Sequence, residues 1–242
     1  MDISLAELRN RFDAVLLSVG LSASTSLGQA EGVVDALAFL RDAKGGRIAA
    51  MPRRVAVLGA GNTAMDAATT AIDLGAKDVF IVYRRSFREM PAWVEERDRF
   101  RAKGGNILLL TQPAGYVVGA DGRLAGLRLL RTELGEPDDS GRRRAVPLEG
   151  SAFTMPVDMV IEAMGQTMHT ALRQALHDLA FTPKGLIRVS NQFETNVPGV
   201  YAAGDAVNGG TTAVQGIAEA MQAAAAMAAA MPADKRHEAA GA

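Results

Sequence analysis

The residues with the clearest chemical meaning in this sequence are six in a row, Gly59-Ala60-Gly61-Asn62-Thr63-Ala64. They follow an apolar run, Val55 to Leu58, and precede small apolar residues at helical spacing, so the sequence predicts a strand, a tight turn and a helix. In such a turn the first glycine permits the bend, the second lets a pyrophosphate approach the backbone, and the small third residue keeps the helix near the sheet. The helix N-terminus favours an anion. The turn therefore predicts a dinucleotide site, with a purely structural turn as the alternative.

An arginine pair follows the next predicted strand, where it bears on the choice of nucleotide. The run Val79 to Tyr83 is β-branched and aromatic, and it leads into Arg84 and Arg85, about 25 residues beyond Gly59. Near this position an acidic residue holds the ribose 2′-hydroxyl of NAD, whereas arginine accommodates the 2′-phosphate of NADP. Guanidinium groups also match phosphate better than ammonium groups do. The sequence therefore favours NADP(H), and a merely solvated arginine pair is the alternative.

The composition excludes several other classes of function. The 242 residues carry a formal net charge of −1, which gives no field to recruit nucleic acid or an anionic membrane. The chain has no cysteine, so it cannot itself hold a disulfide, a thiolate-ligated zinc or an iron–sulfur cluster. Residues 1–10 are polar and of mixed charge, unlike a signal peptide. The expected partners are small molecules and proteins, and the expected location is cytoplasmic.

Strands and helices alternate around the glycine-rich turn, which predicts an α/β fold with a doubly wound, parallel sheet. Residues 116–155 contain two hairpin patterns and predict an antiparallel excursion from that sheet. The apolar runs Phe12 to Gly20 and Pro156 to Gly165 each read as a buried strand ending in glycine, and we interpret them as points where the chain crosses between two domains. The expected divisions are residues 1–45, 46–165 and 166–242, with the nucleotide domain in the middle.

Three further groups of residues have possible chemical roles. The run Arg142-Arg143-Arg144 is able to bind an anion, but beside the acidic tip of residues 136–141 we expect a solvated hairpin arm. His169 and His177 have no carboxylate or cysteine at ligand spacing, so surface or packing roles are expected for both. Gly204 and Asp205 follow a short predicted strand, at the carboxyl end where ligands of open α/β sheets collect. The sequence offers no convincing catalytic acid, base or nucleophile.

With these stretches identified, nearly the whole chain resembles the FAD- and NADPH-binding small subunit of bacterial glutamate synthase. It is equally similar to the flavin portion of NADP-dependent dihydropyrimidine dehydrogenase, within the flavoproteins that have two dinucleotide-binding domains. The stretches that carry the resemblance are FDAVLLSVG (12–20), GAGNTAMD (59–66), VYRRSFREMPA (82–92), DMVIEAMG (158–165) and TNVPGVYAAGDAVNGGTTAVQGIAEA (195–220).

The resemblance implies a Rossmann-like NADPH domain inserted into an FAD domain and a set of cofactor-binding residues. Gly59, Gly61, Asn62, Thr63 and Ala64 would meet the NADPH pyrophosphate, and Arg84 and Arg85 its 2′-phosphate. The FAD residues would be Gly204 and Asp205 at the phosphate and ribityl region and Thr212, Ala213 and Val214 near the isoalloxazine. Gly165, at the end of the second crossing strand, completes the expected set.

The sequence also departs from that family. The family has an earlier glycine-rich turn for the FAD pyrophosphate and, before it, a cysteine-rich iron–sulfur region, and neither occurs in these residues. We therefore expect a partial FAD domain that holds FAD weakly, and a partner or further segment that carries iron–sulfur clusters. The first interpretation is an oxidoreductase module that passes hydride from NADPH to FAD and electrons to the partner. The second is a truncated or regulatory nucleotide-binding module without flavin-dependent activity.

Overall fold

The computed structural model describes residues 3–138 and 141–231, and the chain divides into two compact units. One unit is residues 24–165, and the other combines the residues up to 23 with those from 166 onward. The helices are α1 (Leu5–Arg11), α2 (Ala36–Lys44), α3 (Asn62–Asp73), α4 (Val94–Ala102), α5 (Thr170–Ala175), α6 (Asp205–Asn208) and α7 (Ala213–Ala230), with a 3₁₀ turn at Phe87–Glu89. The strands are β1 (Val15–Leu17), β2 (Ala23–Ser24), β3 (Val33–Asp35), β4 (Arg54–Leu58), β5 (Asp78–Val82), β6 (Asn106–Leu108), β7 (Thr111–Val118), β8 (Leu124–Pro137), β9 (Arg143–Pro147), β10 (Phe153–Met155), β11 (Met159–Glu162), β12 (Gln166–Thr167) and β13 (Val200–Ala202).

A five-stranded parallel sheet with the order β3-β11-β4-β5-β6 forms the centre of residues 24–165. The register places Val57 beside Ile81 on one side and beside Ile161 on the other. Strand β4 is therefore paired along both edges, which explains why Val55 to Leu58 are all apolar and fully buried. The α/β fold with a parallel sheet that the sequence predicts is confirmed.

The two faces of this sheet are covered in different ways. Helix α3 packs against α2, α4, β4 and β5, so the three helices share one face, where Val55, Val57 and Ile81 enter their core. On the opposite face Ala56 and Leu58 pack with Leu127 and Leu129 of β8. The antiparallel strands β7, β8 and β10 therefore supply the second layer of the core, where a doubly wound sheet commonly has helices.

Residues 24–45 belong to the same compact unit as the central sheet, so the boundary expected at residue 45 falls after residue 23 in the structure. The spacing of apolar residues from Glu31 to Lys44 predicts one helix, but residues 33–35 form β3 and pair with β11. The Asp35 carboxylate accepts a hydrogen bond from the Ala38 amide at 2.9 Å and so caps α2, which begins only at Ala36.

The other unit is built on a two-stranded parallel sheet, β1 with β13, in which Leu16 lies opposite Tyr201. Its core combines Val15 and Leu17 with Ile187, Val200 and Ala202. The apolar run from Phe12 to Val19 forms a shorter strand than expected, because both of its ends are exposed, Phe12 by 53% and Val19 by 38%. Strands β2 and β12 pair where the chain passes between the units. In the described ranges no helix combines the length and apolar character that a membrane span requires.

Candidate functional site

The glycine-rich turn joins β4 to α3, as the sequence predicts. Strand β4 ends at Leu58, and Gly61 is the N-cap of α3 with an extended backbone (φ −85°, ψ 178°). Because a glycine has no side chain, no side-chain oxygen at Gly61 caps the first amides of the helix, those of Asn62 and Thr63. Those amides and the positive end of the helix dipole are therefore left for an anion.

The two glycines of the turn have different physical roles. Gly59 has φ 123°, and a Cβ atom there would lie 2.2 Å from the carbonyl oxygen of Ala163, the residue that follows the neighbouring strand β11. Gly59 is therefore required by the fold itself. At Gly61 the nearest atom to a Cβ would be Cγ of Pro91 at 4.0 Å, so the space beside its backbone is open. A ligand phosphate would fill that space.

The next residues of the turn shape its surroundings. The Asn62 side chain accepts a hydrogen bond from the Trp93 amide at 3.0 Å, and the Ala92 amide donates to the Ala60 carbonyl at 3.1 Å. These bonds hold the segment before α4 against the turn. Thr63 is half-buried, and Ala64 is fully buried under the helix. A larger residue than Ala64 would push α3 away from the sheet.

A cleft of about 640 Å³ opens from this turn. Three arginines line it, Arg84, Arg85 and Arg142, and none of the described residues along its wall is acidic. The remaining lining residues are Thr25, Leu27, Leu58, Gly59, Ala60, Gly61, Val82, Tyr83, Pro91, Gln112, Pro113, Ala163, Met164 and Gly165. The cleft therefore combines an apolar wall, a bare helix N-terminus and clustered positive charge.

The two arginines after β5 lie in contrasting environments. Arg84 is exposed, and its carbonyl accepts a hydrogen bond from the Thr132 hydroxyl at 2.7 Å. Arg85 is only 5% exposed, and its Nη2 forms an ion pair of 2.5 Å with the Asp138 carboxylate. Its Nε is buried and has no hydrogen-bond partner among the residues that the structure describes. The sequence predicts equal roles for Arg84 and Arg85 at a 2′-phosphate, but in the structure the two side chains differ in exposure and in ion pairing.

The residues present fit a phosphorylated dinucleotide on three counts. The space beside Gly61 is open, the cleft wall is positive, and the buried Nε of Arg85 lacks an acceptor. A buried donor without a partner is destabilising by about 1–3 kcal/mol, so an arriving phosphate oxygen would relieve it. An acidic residue for a 2′-hydroxyl does not occur among the described lining residues.

One wall of the cleft is held by a buried carboxylate that the sequence analysis missed. Glu162, 5% exposed at the end of β11, accepts hydrogen bonds from the Leu27 amide at 2.7 Å and from the Tyr116 hydroxyl. Burial, and then the bond to Glu162, raises the pKa of Tyr116. Beside it, Gly165 has φ 117°, and its carbonyl accepts from the Thr25 amide at 3.2 Å. In the sequence, the available signal for the buried carboxylate of Glu162 was an acidic residue at the end of an apolar strand.

A second group of expected site residues lies in the other unit, at the carboxyl end of β13. Gly204 has φ 76° and ψ −156°, a conformation that favours glycine, and Asp205 begins the short helix α6. A Cβ at Gly216 of α7 would lie 3.9 Å from the Cα of Gly204, so the helix passes close to this turn. Thr212 caps α7 by accepting a hydrogen bond from the Gln215 amide at 3.2 Å.

Glu219 of α7 is a further residue that the sequence analysis did not identify. It is 8% exposed and accepts hydrogen bonds from the Gly204 amide at 3.0 Å, the Asn208 amide group at 2.9 Å and the Gln215 amide group at 3.0 Å. One carboxylate therefore fixes the glycine turn, α6 and the first turn of α7. Its only signal in the sequence is an acidic residue inside an alanine-rich helix.

The fit of this second group to FAD is partial. Thr212, Ala213 and Val214 are exposed, and Val214 is 76% exposed although it is apolar. Asp205 is half-buried. The one glycine-rich turn of this type in the sequence lies at residues 59–64, so no second turn is identified for the adenine end.

The two histidines of the segment after β12 have structural contacts. His169 caps α5 by accepting from the Ala171 amide at 3.2 Å, and His177 lies 3.3 Å from the Asp178 carboxylate. No group of three or more metal-ligating side chains is present within residues 3–138 and 141–231. Neither histidine lines the cleft described above.

Comparison with known proteins places this geometry in a family. The family model described as pyridine nucleotide-disulphide oxidoreductase matches residues 6–229. The beta subunit of the NADP(+)-dependent formate dehydrogenase of Moorella thermoacetica is 38% identical over 232 residues, which are 93% of this chain and 32% of that protein. The NADPH glutamate synthase small chain of Escherichia coli (strain K12) is 36% identical over 244 residues, 92% of this chain and 51% of that protein. The expected resemblance to the glutamate synthase small subunit is confirmed.

Solved structures show the same fold. Mycobacterium tuberculosis FprA in complex with NADPH has a TM-score of 0.74 at 18% identity, over 92% of this chain and 64% of that one. The thioredoxin reductase of T. acidophilum has a TM-score of 0.65 at 19% identity, over 88% of this chain and 64% of that one. The chain thus spans about a third to two thirds of the length of these four proteins. With its glycine-rich turn and surrounding sheet inside the matched residues, the chain belongs to the pyridine nucleotide-disulphide oxidoreductase family.

Proposed function

We propose that this chain is an NADPH-dependent oxidoreductase module that serves FAD and, through it, an iron–sulfur partner, as in glutamate synthase. The observation that carries the proposal is the cleft beside Gly61, which has room for a diphosphate, three arginines in its wall and no acidic side chain among its described lining residues. An NAD-selective site would place a carboxylate there.

The chain's own residues bind and orient the nucleotide. The backbone at Gly61 and the amides at the start of α3 take the diphosphate, and the exposed guanidinium of Arg84 takes the 2′-phosphate. The buried Arg85 adds its unpaired Nε to the same anionic end. The bond from the Leu27 amide to Glu162 keeps the opposite wall in place.

At the other candidate site, Asp205 and the N-terminal turn of α7 hold the ribityl and flavin end of FAD. Glu219 keeps the Gly204 turn in register with that helix through its three hydrogen bonds. When both cofactors are bound, they supply the redox chemistry, a hydride from the nicotinamide to the flavin and then electrons to an acceptor. The chain needs no side-chain acid or base for this transfer, because its contribution is positioning.

The proposal that an iron–sulfur partner accepts the electrons is supported by the proteins that this chain resembles. The relatives that this chain matches include a formate dehydrogenase subunit, a glutamate synthase small chain and the beta subunit of a Geobacter sulfurreducens NADPH-Fe(3+) oxidoreductase, which is 35% identical over 257 residues. Each of these three proteins is named as a subunit or chain of an enzyme. The 242 residues contain no cysteine, so any iron–sulfur clusters that receive electrons from them must be bound by other residues.

A second function has its own supporting observation. Thr212, Ala213 and Val214 are exposed and the sequence has one glycine-rich turn for two dinucleotides, as expected of a regulatory module that binds NADPH without holding FAD. The two functions differ in one measurable property, the affinity of the chain for FAD.

Nucleotide titration tests the proposed NADPH site. Trp93 is the one tryptophan of the chain and its amide is bonded to Asn62, so energy transfer from Trp93 to the reduced nicotinamide reports binding. We expect NADPH to bind more tightly than NADH. Arg84→Ala should weaken NADPH by about tenfold or more, the effect of losing one charge-assisted contact, and leave NADH unchanged. Arg88→Ala, an exposed arginine outside the cleft, is the matched control. Equal affinities of the parent chain for NADPH and NADH would contradict the assignment.

Native mass spectrometry with added FAD separates the two functions. We expect weak, sub-stoichiometric FAD and, when FAD is in excess, NADPH-dependent reduction of ferricyanide. Binding of NADPH with neither FAD nor ferricyanide reduction would favour the regulatory module. A monomer with one tightly held FAD would show that the adenine end is bound by residues outside the glycine-rich turn.

A further inference from the structure

We propose that Arg142 is a specificity-determining residue that binds the 2′-phosphate end of NADPH, and that the ion pair between Arg85 and Asp138 positions it. The inference rests on the proposed function of the cleft. It assigns a role to the connection between β8 and β9, for which the sequence analysis expects a solvated arm.

Arg142 lies in the wall of the dinucleotide cleft although it is 58 residues beyond Arg84 in the chain. The other two arginines of the wall follow β5 directly, whereas Arg142 immediately precedes β9 of the antiparallel excursion. Two separate elements therefore bring cations to one cleft. A 2′-phosphate gives NADPH about 1.5–2 more negative charges than NADH, and guanidinium groups from these two elements line the cleft that would receive it.

Arg85 cannot supply this charge to the ligand in full. Its guanidinium is buried and its Nη2 is 2.5 Å from the Asp138 carboxylate, which already balances its charge. Arg84 and Arg142 are the exposed cations among the described lining residues. The 2′-phosphate of a bound nucleotide would consequently lie between these two side chains.

Asp138 links the buried arginine to Arg142 by its backbone. The Asp138 amide donates to the Arg142 carbonyl at 2.8 Å, and the Asp138 carbonyl accepts from the Gly141 amide at 2.8 Å. Its carboxylate is held by Arg85 at the end of β5. One residue therefore anchors the tip of the excursion to the parallel sheet and sets the place from which the Arg142 side chain reaches the cleft.

The two following arginines serve other purposes and provide controls. Arg143 donates to the carbonyls of Leu134 at 2.5 Å and Gly135 at 3.1 Å, so it stabilises the hairpin itself. Arg144 is exposed and does not line the cleft. Three consecutive residues of one type thus have three environments, and substitution of Arg142 and Arg144 separates a local contact from a general effect of charge.

Calorimetric titration of the full chain with four ligands tests the role of Arg142. NADPH and 2′,5′-ADP carry the 2′-phosphate, whereas NADH and 5′-AMP do not. We expect Arg142→Ala to weaken the first two by about tenfold or more and the second two by less than about twofold. Arg142→Lys should restore part of the loss, and Arg144→Ala should change all four by less than about twofold.

Several results would overturn this role. The role is refuted if Arg142→Ala behaves like Arg144→Ala, or if it weakens NADH as much as NADPH. If Arg84→Ala alone abolishes the preference for NADPH while Arg142→Ala has no effect, the proposed function stands and the role of Arg142 is refuted. A parent chain that binds none of the four ligands would refute both.

A double-mutant cycle tests the positioning by Asp138. Asp138→Ala should weaken 2′,5′-ADP to nearly the same extent as Arg142→Ala, and the double variant should be no weaker than either, because both remove one contact. Asp138→Ala with Arg144→Ala should show no coupling. Tighter binding after Asp138→Ala would show that the ion pair instead withholds Arg85 from the phosphate, which would refute the positioning role.

Discussion

Substitution of the two glycines in the phosphate turn should separate binding from folding. The structure predicts that Gly61→Val abolishes NADPH binding and leaves the fold intact, whereas Gly59→Ala destabilises the fold. At Gly61 the backbone is extended and a Cβ would meet no atom closer than 4.0 Å. A valine there occupies the space that the diphosphate needs.

The expected magnitudes follow from the contacts of each position. Replacing glycine at the N-cap of α3 by valine costs about 1 kcal/mol, since apolar residues are poor N-caps. In a chain of this size that lowers the melting temperature by about 2–4 °C. At Gly59, where φ is 123°, a Cβ would lie 2.2 Å from the carbonyl oxygen of Ala163. Conformational strain of about 1–2 kcal/mol and overpacking of about 1–3 kcal/mol then lower the melting temperature by roughly 4–20 °C.

Circular dichroism melting and the Trp93 energy-transfer titration measure the two effects on the same samples. Gly61→Ala, which adds one methyl group to the open space, should melt within about 4 °C of the parent chain and bind NADPH more weakly than the parent. If Gly61→Val melts as low as Gly59→Ala, Gly61 has a structural role and the interpretation of the open space is wrong. Retention of parental NADPH affinity in Gly61→Val would refute it equally.

Two further predictions concern carboxylates. Glu219 accepts hydrogen bonds from three donors, and Glu219→Gln places an amide donor among them. We therefore expect the free energy of unfolding to fall by about 1–3 kcal/mol and hydrogen exchange at the Gly204 amide to become faster. The control Glu95→Gln, on the exposed face of α4, should change neither quantity. The hydrogen bond from Arg54 holds the pKa of Asp158 below its usual value of 3.8, so its contribution is present above that pH and is lost as the pH falls through the lowered pKa. Asp158→Asn should therefore flatten the decline of melting temperature below about pH 4, and an unchanged acid profile would show that this ion pair does not stabilise the fold.

The sequence was most informative where local chemistry determines structure. The turn at residues 59–64 is predictable because glycine, glycine and alanine at that spacing satisfy backbone requirements that few other folds impose. The strand from Val55 to Leu58 is predictable because a strand paired on both edges must be apolar throughout. The parallel sheet follows from the alternation of such runs with helices.

The remainder depends on contacts between residues far apart in the chain. Arg84 and Arg85 are adjacent and identical in type, yet only the partner Asp138 and the local packing make one exposed and the other buried. The position of Arg142 in the cleft depends on the same ion pair. Glu162 and Glu219 are buried because hydrogen-bond donors from other elements converge on them, and no periodic pattern reports such convergence. For β3, pairing with β11 overrides the helical spacing of residues 31–44.

The hydrogen bond between the Thr25 amide and the Gly165 carbonyl bears on whether residues 24–165 can be moved into another protein as a unit. It shows that the two ends of residues 24–165 lie side by side, 3.2 Å apart between donor and acceptor. Once residues 24–165 are folded, they therefore connect residue 23 to residue 166 as a short loop would. The loop-closure entropy that this connection costs the rest of the chain does not grow with the length of the segment. Residues 24–165 thus have the architecture of a domain that can be inserted into another chain, since the two ends of the segment lie next to each other.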